Sequence, residues 1–377
     1  MKRFFLLYIW FVSIFVSGYS QNGDTLLFKG QLSAWFNYSY TNDDFLLGGR
    51  YIPQVNAIKK LKYSCLIDAE LSANIYGTLP GDPNPQGDIK PYRAWMRFSS
   101  PQLEIRAGLQ KINFGSATML RPLMWFDRID PRDPLQLTDG VWGTMGRYYF
   151  LNNANIWLWG LYGNKGTKGW EFQATKEKTP EFGGRIQYPI PLGEAALSFH
   201  HRTASYVSSP YDIVTYNIPT LPENRFGFDA KIDWVVGFWV EASWNSFTKD
   251  IGLLTNQTLL NCGADYTFGL GNGLLVTYEH LVAAQDSVPF RFDYKANFSL
   301  MSLSYPIGLF DNLSAIFYYS WENEQVYSFL NWQRTYNRIS LHLMAYWNPE
   351  MMGLPQQNLN SNLFGGKGMQ FMFVFNH

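Results

Sequence analysis

Apolar and polar residues alternate along most of the chain with a period of two. In the segment YSCLIDAELSANI, every second residue from Tyr63 to Ile75 is apolar, and most of the residues between them are polar. The pattern continues to the end of the chain, where Met369, Phe371 and Phe373 share one parity. This is the side-chain period of a strand with two unlike faces, so the sequence predicts an all-β structure.

The alternating segments are about ten residues long, and short and long connectors alternate between them. Such segments, with short turns at one end and long loops at the other, are typical of a transmembrane β-barrel. Charged residues within the segments fall almost entirely on the polar parity. A lipid-facing charge near the bilayer midplane costs about 2–4 kcal/mol, so the polar parity is expected to face a lumen.

The sequence therefore predicts a transmembrane antiparallel up-and-down β-barrel of about 16 strands, with 18 as the next alternative. About seventeen segments qualify as strands, and single-chain bacterial barrels have even strand numbers. Because seventeen is an odd number, one segment must be miscounted, and we expect this error at residues 349–366, before the last strand. Residues 322–335 are interpreted as a long loop. A soluble β-sandwich or β-helix is the alternative fold, but the chain has no repeat of fixed length.

The composition agrees with a barrel in a membrane. Aromatic residues make up 18% of the chain and charged residues 16%, whereas soluble chains carry about 25% charged residues. The aromatic residues are expected to form girdles at the two membrane interfaces. The 30 basic residues balance the 30 acidic ones, which argues against nucleic acid as a partner.

The first 20 residues have the pattern of a secretory signal peptide. Lys2 and Arg3 precede an apolar core, and small residues follow up to Ser20. A membrane anchor is the alternative, but the apolar core is short for a bilayer, which needs about 20 residues. We expect residues 21–377 to form the barrel in the cell outer membrane, where lipid is its partner.

Residues 111–140 form the longest connector and are rich in charge. Counted from the N-terminus, residues 31–40 are the first strand and 103–110 the fifth, which makes this connector the third outer loop. Pro131 and Pro134 each fix one backbone angle and extend the residue before them. A loop stiffened in this way can hold a fixed position inside a wet lumen.

With this placement the sequence resembles Gram-negative outer-membrane porins, in which the third outer loop folds into the barrel. The pattern RAGLQKINFGSA … RIDPRDPLQLTDG is also similar to phosphate-selective and alginate-export-like porin families. The resemblance implies a channel for passive diffusion of small hydrophilic solutes. The C-terminal Phe375-Asn376-His377 departs from the terminal aromatic residue of many such barrels.

The loop and the strands beside it supply the candidate site, a ring of mixed charge that selects solutes by charge and dipole. Trp125 and Phe126 are expected to anchor the loop to the wall. The predicted pore constriction consists of Arg121, Asp127, Arg128, Asp130, Arg132, Asp133 and Asp139. The predicted pore wall consists of Asp68, Glu70, Arg93, Arg97, Glu104, Arg106 and Arg147.

Two other interpretations of the loop stay open. It could be a salt-bridged plug that stabilises the barrel without selecting solutes. A calcium site at Asp127, Asp130 and Asp133 is disfavoured, because Arg128 and Arg132 interleave the carboxylates and calcium needs many oxygen ligands. No metal or other cofactor is predicted.

Two alternatives to a general porin remain. The chain could be a dedicated channel for a polysaccharide or an organic anion, or a non-conducting structural or adhesin barrel that uses loops such as 204–223. An enzyme is not predicted, because none of the five histidines lies in a recognisable pairing motif with serine. Cys65 and Cys262 are expected to stay unbonded, and a homo-oligomer is left open.

Overall fold

The computed structural model describes residues 25–80, 85–205, 220–350 and 363–377. The predicted signal peptide and much of loop 204–223 lie outside these residues. The described residues form eighteen strands and one short 3₁₀ turn. Among them the structure contains no helix with the length and hydropathy that crossing a membrane requires. The strands are β1 Thr25–Ser39, β2 Asp44–Lys60, β3 Leu66–Pro80, β4 Gln86–Ser99, β5 Leu103–Gln110, β6 Val141–Tyr149, β7 Asn155–Leu161, β8 Glu181–Ile190, β9 Gly193–Ala204, β10 Leu221–Asp233, β11 Gly237–Phe247, β12 Asn256–Phe268, β13 Leu274–Asp286, β14 Lys295–Pro306, β15 Asp311–Ser320, β16 Gln325–Thr335, β17 Ile339–Trp347 and β18 Lys367–Asn376.

Each strand pairs antiparallel with the next one in the chain, and β1 pairs with β18 to close the sheet. At this seam Gln31 lies opposite Asn376, and the backbone of Gly30 bonds to that of His377 in both directions at 3.0 Å. The predicted fold class, an antiparallel up-and-down barrel, is confirmed. The strand number is eighteen, the second predicted value, and the first choice of sixteen is wrong.

The strand that is missing from the sequence-based count is β16. It lies within residues 322–335, which were interpreted as a loop, whereas the error was expected at residues 349–366. Its inward residues include Tyr327 and Phe329, and its outward residues include Val326 and Leu330. Both faces are therefore apolar, so the strand shows little of the alternation on which the count relied. The inner face is apolar here because it packs against other residues inside the barrel.

The inner wall has a charged part and an apolar part. Inward charged residues concentrate on β2 to β11, whereas the inward residues of β12 to β18 are mainly apolar and form a surface that we call the apolar half-wall. Its buried members are Leu259, Leu281, Phe298, Leu300, Ile316, Tyr318, Tyr327, Phe329, Met344, Tyr346, Met372 and Val374. The polar lumen expected from the alternation is thus found on one part of the wall.

The outer surface carries the apolar parity. Mid-strand residues such as Leu158 and Leu197 are exposed. Exposed aromatic residues gather near both ends of the strands, for example Trp347 at the loop end and Trp234 at the turn end. An apolar band between two aromatic girdles is the surface that lipid requires.

Candidate functional site

Residues 111–140, named L3 from here on, connect β5 to β6 at the long-loop end and reach the wall on the far side. The carboxylate of Glu241 on β11 accepts the backbone N–H of Ala117 at 2.8 Å and of Leu123 at 2.6 Å. Glu279 on β13 accepts the N–H of Thr118 at 2.8 Å. Both carboxylates have inward parity and are fully buried. L3 therefore crosses the interior of the barrel.

Apolar contacts hold L3 in the same place. Leu120 is buried against the apolar half-wall. The indole N–H of Trp125 donates to the hydroxyl of Ser243 at 3.0 Å, and the ring of Phe126 lies 4.9 Å from that of His200. Trp125 and Phe126 thus contact inward residues of β11 and β9.

A second loop, L4 (residues 162–180, between β7 and β8), folds onto L3. The N–H of Gly169 donates to the carbonyl of Asp127 at 3.0 Å, and the indole of Trp170 donates to the carbonyl of Arg121 at 2.8 Å. A Cβ at position 169 would lie 1.7 Å from the carbonyl oxygen of Met124, so this close contact requires glycine.

Buried ion pairs fix L4 to the wall. Glu171 lies 3.1 Å from Arg202 and 2.6 Å from Arg225, and Glu223 pairs with the same two arginines. All four side chains are at most 4% exposed. The inward position of L4 was not predicted from the sequence, although both arginines have inward parity on β9 and β10.

A cavity of about 320 Å³ remains between L3, the tip of L4 and the wall near β1 to β4 and β18. Its charged lining combines residues from both loops and the wall. The cationic residues are Arg50, Lys90, Arg128, Arg132, Lys165 and Lys168. The acidic residues are Asp127, Asp130, Asp133 and Asp139.

Several of the predicted constriction residues pair along this cavity. Arg132 binds Asp130 at 2.7 Å, and its guanidinium lies 5.0 Å from the ring centre of Phe364. Asp139 pairs with Lys90 of β4 at 2.6 Å. Arg132 thus pairs with one of the loop's own acidic residues.

The remaining predicted constriction residues have different surroundings. Arg121 is buried within the loop, 3.8 Å from Asp127 and bonded to the carbonyl of Phe114 at 3.0 Å, and it does not line the cavity. Burial raises the pKa of Asp127, and the charge of Arg121 opposes this shift. Arg128 donates to Thr167 of L4 at 3.3 Å.

Asp133 also lines the cavity. Its carboxylate accepts the N–H of Leu135 at 3.0 Å, and burial raises its pKa. The structure brings Asp127, Arg128 and Asp133 to one cavity, together with the two pairs Arg132–Asp130 and Lys90–Asp139.

The predicted wall residues do not form one ring with L3. Within the described part of the chain, Arg93 is the member of this set that bonds to L3, through the carbonyl of Thr138 at 2.9 Å. Arg97 pairs with Asp68 at 2.8 Å and lies 3.6 Å from Glu104, near the short-turn end of the barrel. These charged wall residues thus form a separate level, which lies closer to the short-turn end of the barrel than L3 does.

The rest of the wall set lies on or near this lower level. Arg106 pairs with Glu104 at 3.0 Å, and Glu70 accepts the hydroxyl of Ser72 at 3.1 Å. The guanidinium of Arg147 stacks over Trp157 at 3.3 Å from the ring centre. The expectation of a single mixed ring failed because parity defines the inward face but not the height along the barrel axis.

Sequence reasoning also missed residues that line the cavity. Arg50, Lys165 and Lys168 were not singled out. Tyr92 shares its parity in the sequence with the exposed Met96, but a register shift between Ser72 and Ala73 places it along the cavity. An extra residue of this kind reverses the parity of the strand beyond it, and no local signal marked the shift.

The described residues contain no group of three or more His, Cys, Asp or Glu side chains that could hold a metal ion. The calcium alternative placed Asp127, Asp130 and Asp133 around one ion, and in the structure Asp130 is engaged by Arg132. Both cysteines are unpaired thiols.

No protein-family model matches this chain, and the comparison with curated proteins gives no match either. Solved structures do match. The anion-selective porin from Comamonas acidovorans is 12% identical and covers 94% of this chain and 100% of its own, with a TM-score of 0.52. This chain has the fold of Gram-negative outer-membrane porins.

Two further solved structures give the same result. OccD3 (OpdP) from Pseudomonas aeruginosa is 10% identical, with a TM-score of 0.57 over 97% of this chain and 95% of its own. OccAB1 from Acinetobacter baumannii is 8% identical, with a TM-score of 0.55 over 96% and 99%. The matches do not bear on the resemblance to phosphate-selective or alginate-export-like porins, which stays a prediction.

Proposed function

We propose that this chain is an outer-membrane channel through which small hydrophilic solutes diffuse passively, with L3 as its constriction. The observation that carries the proposal is the path of L3, which crosses the interior of the barrel to Glu241 and Glu279. Because L3 is held at that side, the charged cavity lies between L3 and the opposite wall. The pattern of residues 1–20 supports export to that membrane.

The lining of the cavity supports a preference for anions. Its six cationic residues exceed its four acidic ones by two. Opposite charges on facing sides create a field that sorts solutes by charge and dipole. The matched Comamonas structure is titled an anion-selective porin, which agrees with this sign.

Single-channel recording in a planar bilayer tests the proposal. The purified protein should conduct, and its reversal potential in a salt gradient should have the sign of anion preference. Deletion of residues 119–134 should raise the conductance. Replacement of Arg93, Arg97 and Arg106 by glutamine should shift the selectivity toward cations, because the wall then loses three positive charges and keeps its acidic residues.

A non-conducting structural or adhesin barrel is the second candidate, favoured by the apolar packing of L3 and L4 inside the barrel. The same recording separates the two, since a folded parent protein without conductance supports this candidate. A dedicated channel for an organic anion or a polysaccharide would instead conduct and be blocked by its own solute.

A further inference from the structure

Glu279 binds a run of consecutive backbone amides of L3. Its Oε1 accepts the N–H and the hydroxyl of Thr118, both at 2.8 Å, and the N–H of Met119 at 3.2 Å. Its Oε2 accepts the N–H of Leu120 at 2.6 Å. Both oxygens of this carboxylate are therefore acceptors for the loop backbone.

Glu241 binds the loop on either side of that run. Its Oε2 accepts from Ala117 and its Oε1 from Leu123. A Cβ at Gly115, where φ is +106°, would lie 2.4 Å from Oε2 of Glu241. Glycine at this position allows the backbone to approach the carboxylate closely.

These two side chains, named the anchor carboxylates here, lack the usual partners of buried acids. Both are 0% exposed, and neither forms an ion pair with a lysine or arginine within the described ranges. Buried charges are normally paired with opposite charge or fully hydrogen-bonded. Here most of the hydrogen bonds come from the backbone of one loop.

We propose that Glu241 and Glu279 are the positioning residues that set the width of the channel, by holding the backbone of L3 against the far wall. The proposal deepens the function proposed above and rests on it. Because the contacts are made to amide groups, they fix the position of L3 largely without regard to its side chains. The charged side chains of L3 are then free to define the cavity.

Glutamine tests this assignment because it keeps the size of the side chain and replaces one acceptor oxygen by an NH₂ donor. Each anchor carboxylate uses both oxygens as acceptors, so a glutamine at either position places a donor against a loop N–H. Each bond to a charged group that is lost should raise the population of released L3 by about tenfold.

The experiment compares the parent protein with Glu241→Gln, Glu279→Gln and the double variant in planar bilayers. The matched control is Glu194→Gln, which removes a carboxylate of inward parity at the short-turn end of β9 that bonds to Gln187 and not to L3. The double variant should show a higher conductance than the parent, with frequent transitions between conductance levels. Glu279→Asp keeps the charge and should therefore behave more like the parent than Glu279→Gln does. Gly115→Ala should act like Glu241→Gln without changing any charge.

Trypsin cleavage of the membrane-inserted protein gives a readout that does not depend on conduction. In the parent, Arg132 is 6% exposed, so cleavage there and at Arg128 should be slow. The double variant should be cut within L3 and the control should not. Heat-modifiable migration on gels shows that each barrel is folded.

The outcomes separate the two proposals. A folded double variant that matches the parent in conductance and in cleavage overturns the positioning role, and apolar packing then holds L3. A parent without conductance whose double variant is nevertheless cut within L3 contradicts the channel, while the anchoring of L3 by the two carboxylates stands.

Discussion

At the scale of single residues, alternation predicted the inward face of most charged side chains but not their partners. Glu241 and Arg93 were expected to face the lumen, and both do. Arg121 and Arg128 look equivalent in the sequence, yet one is buried within L3 and the other lines the cavity. That difference depends on how L3 folds against L4, which neither segment determines alone.

Lys168 of L4 provides a pH-dependent test of the cavity. Its ammonium lies 3.7 Å from Glu181 and has no hydrogen-bond partner among the described residues, and burial lowers its pKa from the ordinary value of a lysine. As the pH rises, Lys168 should lose its proton before exposed lysines do. The anion preference of the channel should therefore decrease early in an alkaline titration.

Reversal potentials in a salt gradient, measured from pH 7 upward, check this expectation. Lys168→Arg stays charged and should remove the early step, whereas Lys168→Gln should show the reduced preference already at neutral pH. If all three proteins titrate alike, Lys168 does not contribute to the field in the passage.

At the scale of elements, the sequence predicted the strands whose two faces differ and missed the one whose faces are alike. β16 is apolar inside because Phe329 packs against Phe364, with ring centres 5.3 Å apart. The place of L3 as third outer loop followed from strand order alone. The inward fold of L4 could not be predicted, because its contacts are to L3 and to strands distant in sequence.

The inward face of β16 should matter more for stability than its outward face. Phe329→Ala removes a buried ring, and such changes cost about 3–5 kcal/mol. Leu330→Ala, on the lipid-facing side of the same strand, should cost less because no packed cavity is left behind. Urea unfolding in lipid vesicles, followed by tryptophan fluorescence, measures both, and equal losses would show that the apolar half-wall is not a packed core.

At the scale of the whole molecule, the barrel is a closed wall with lipid outside and folded loops inside. Leu197 lies on the outer surface of β9, and Tyr40 lies at the loop-end rim, next to β1. Leu197→Arg should cost about 2–4 kcal/mol, and Tyr40→Arg about 0–1 kcal/mol, because the penalty of a charge falls toward the interface.

Equilibrium folding into bilayers of defined thickness measures this difference. Thinner bilayers should reduce the penalty of Leu197→Arg and leave that of Tyr40→Arg nearly unchanged. Equal penalties at the two positions would mean that Leu197 does not face hydrocarbon.

The seam between β1 and β18 has a consequence for how the molecule is made. The side chains of Gln31 and Asn376, which bond across it at 3.1 Å, are 345 residues apart in the chain. Until that pairing forms, the sheet has two open edges that can capture other strands. Contacts between distant residues also form slowly. A nascent chain must therefore be shielded at both edges until its last strand arrives, and a truncation within β18 should produce aggregation instead of a smaller pore.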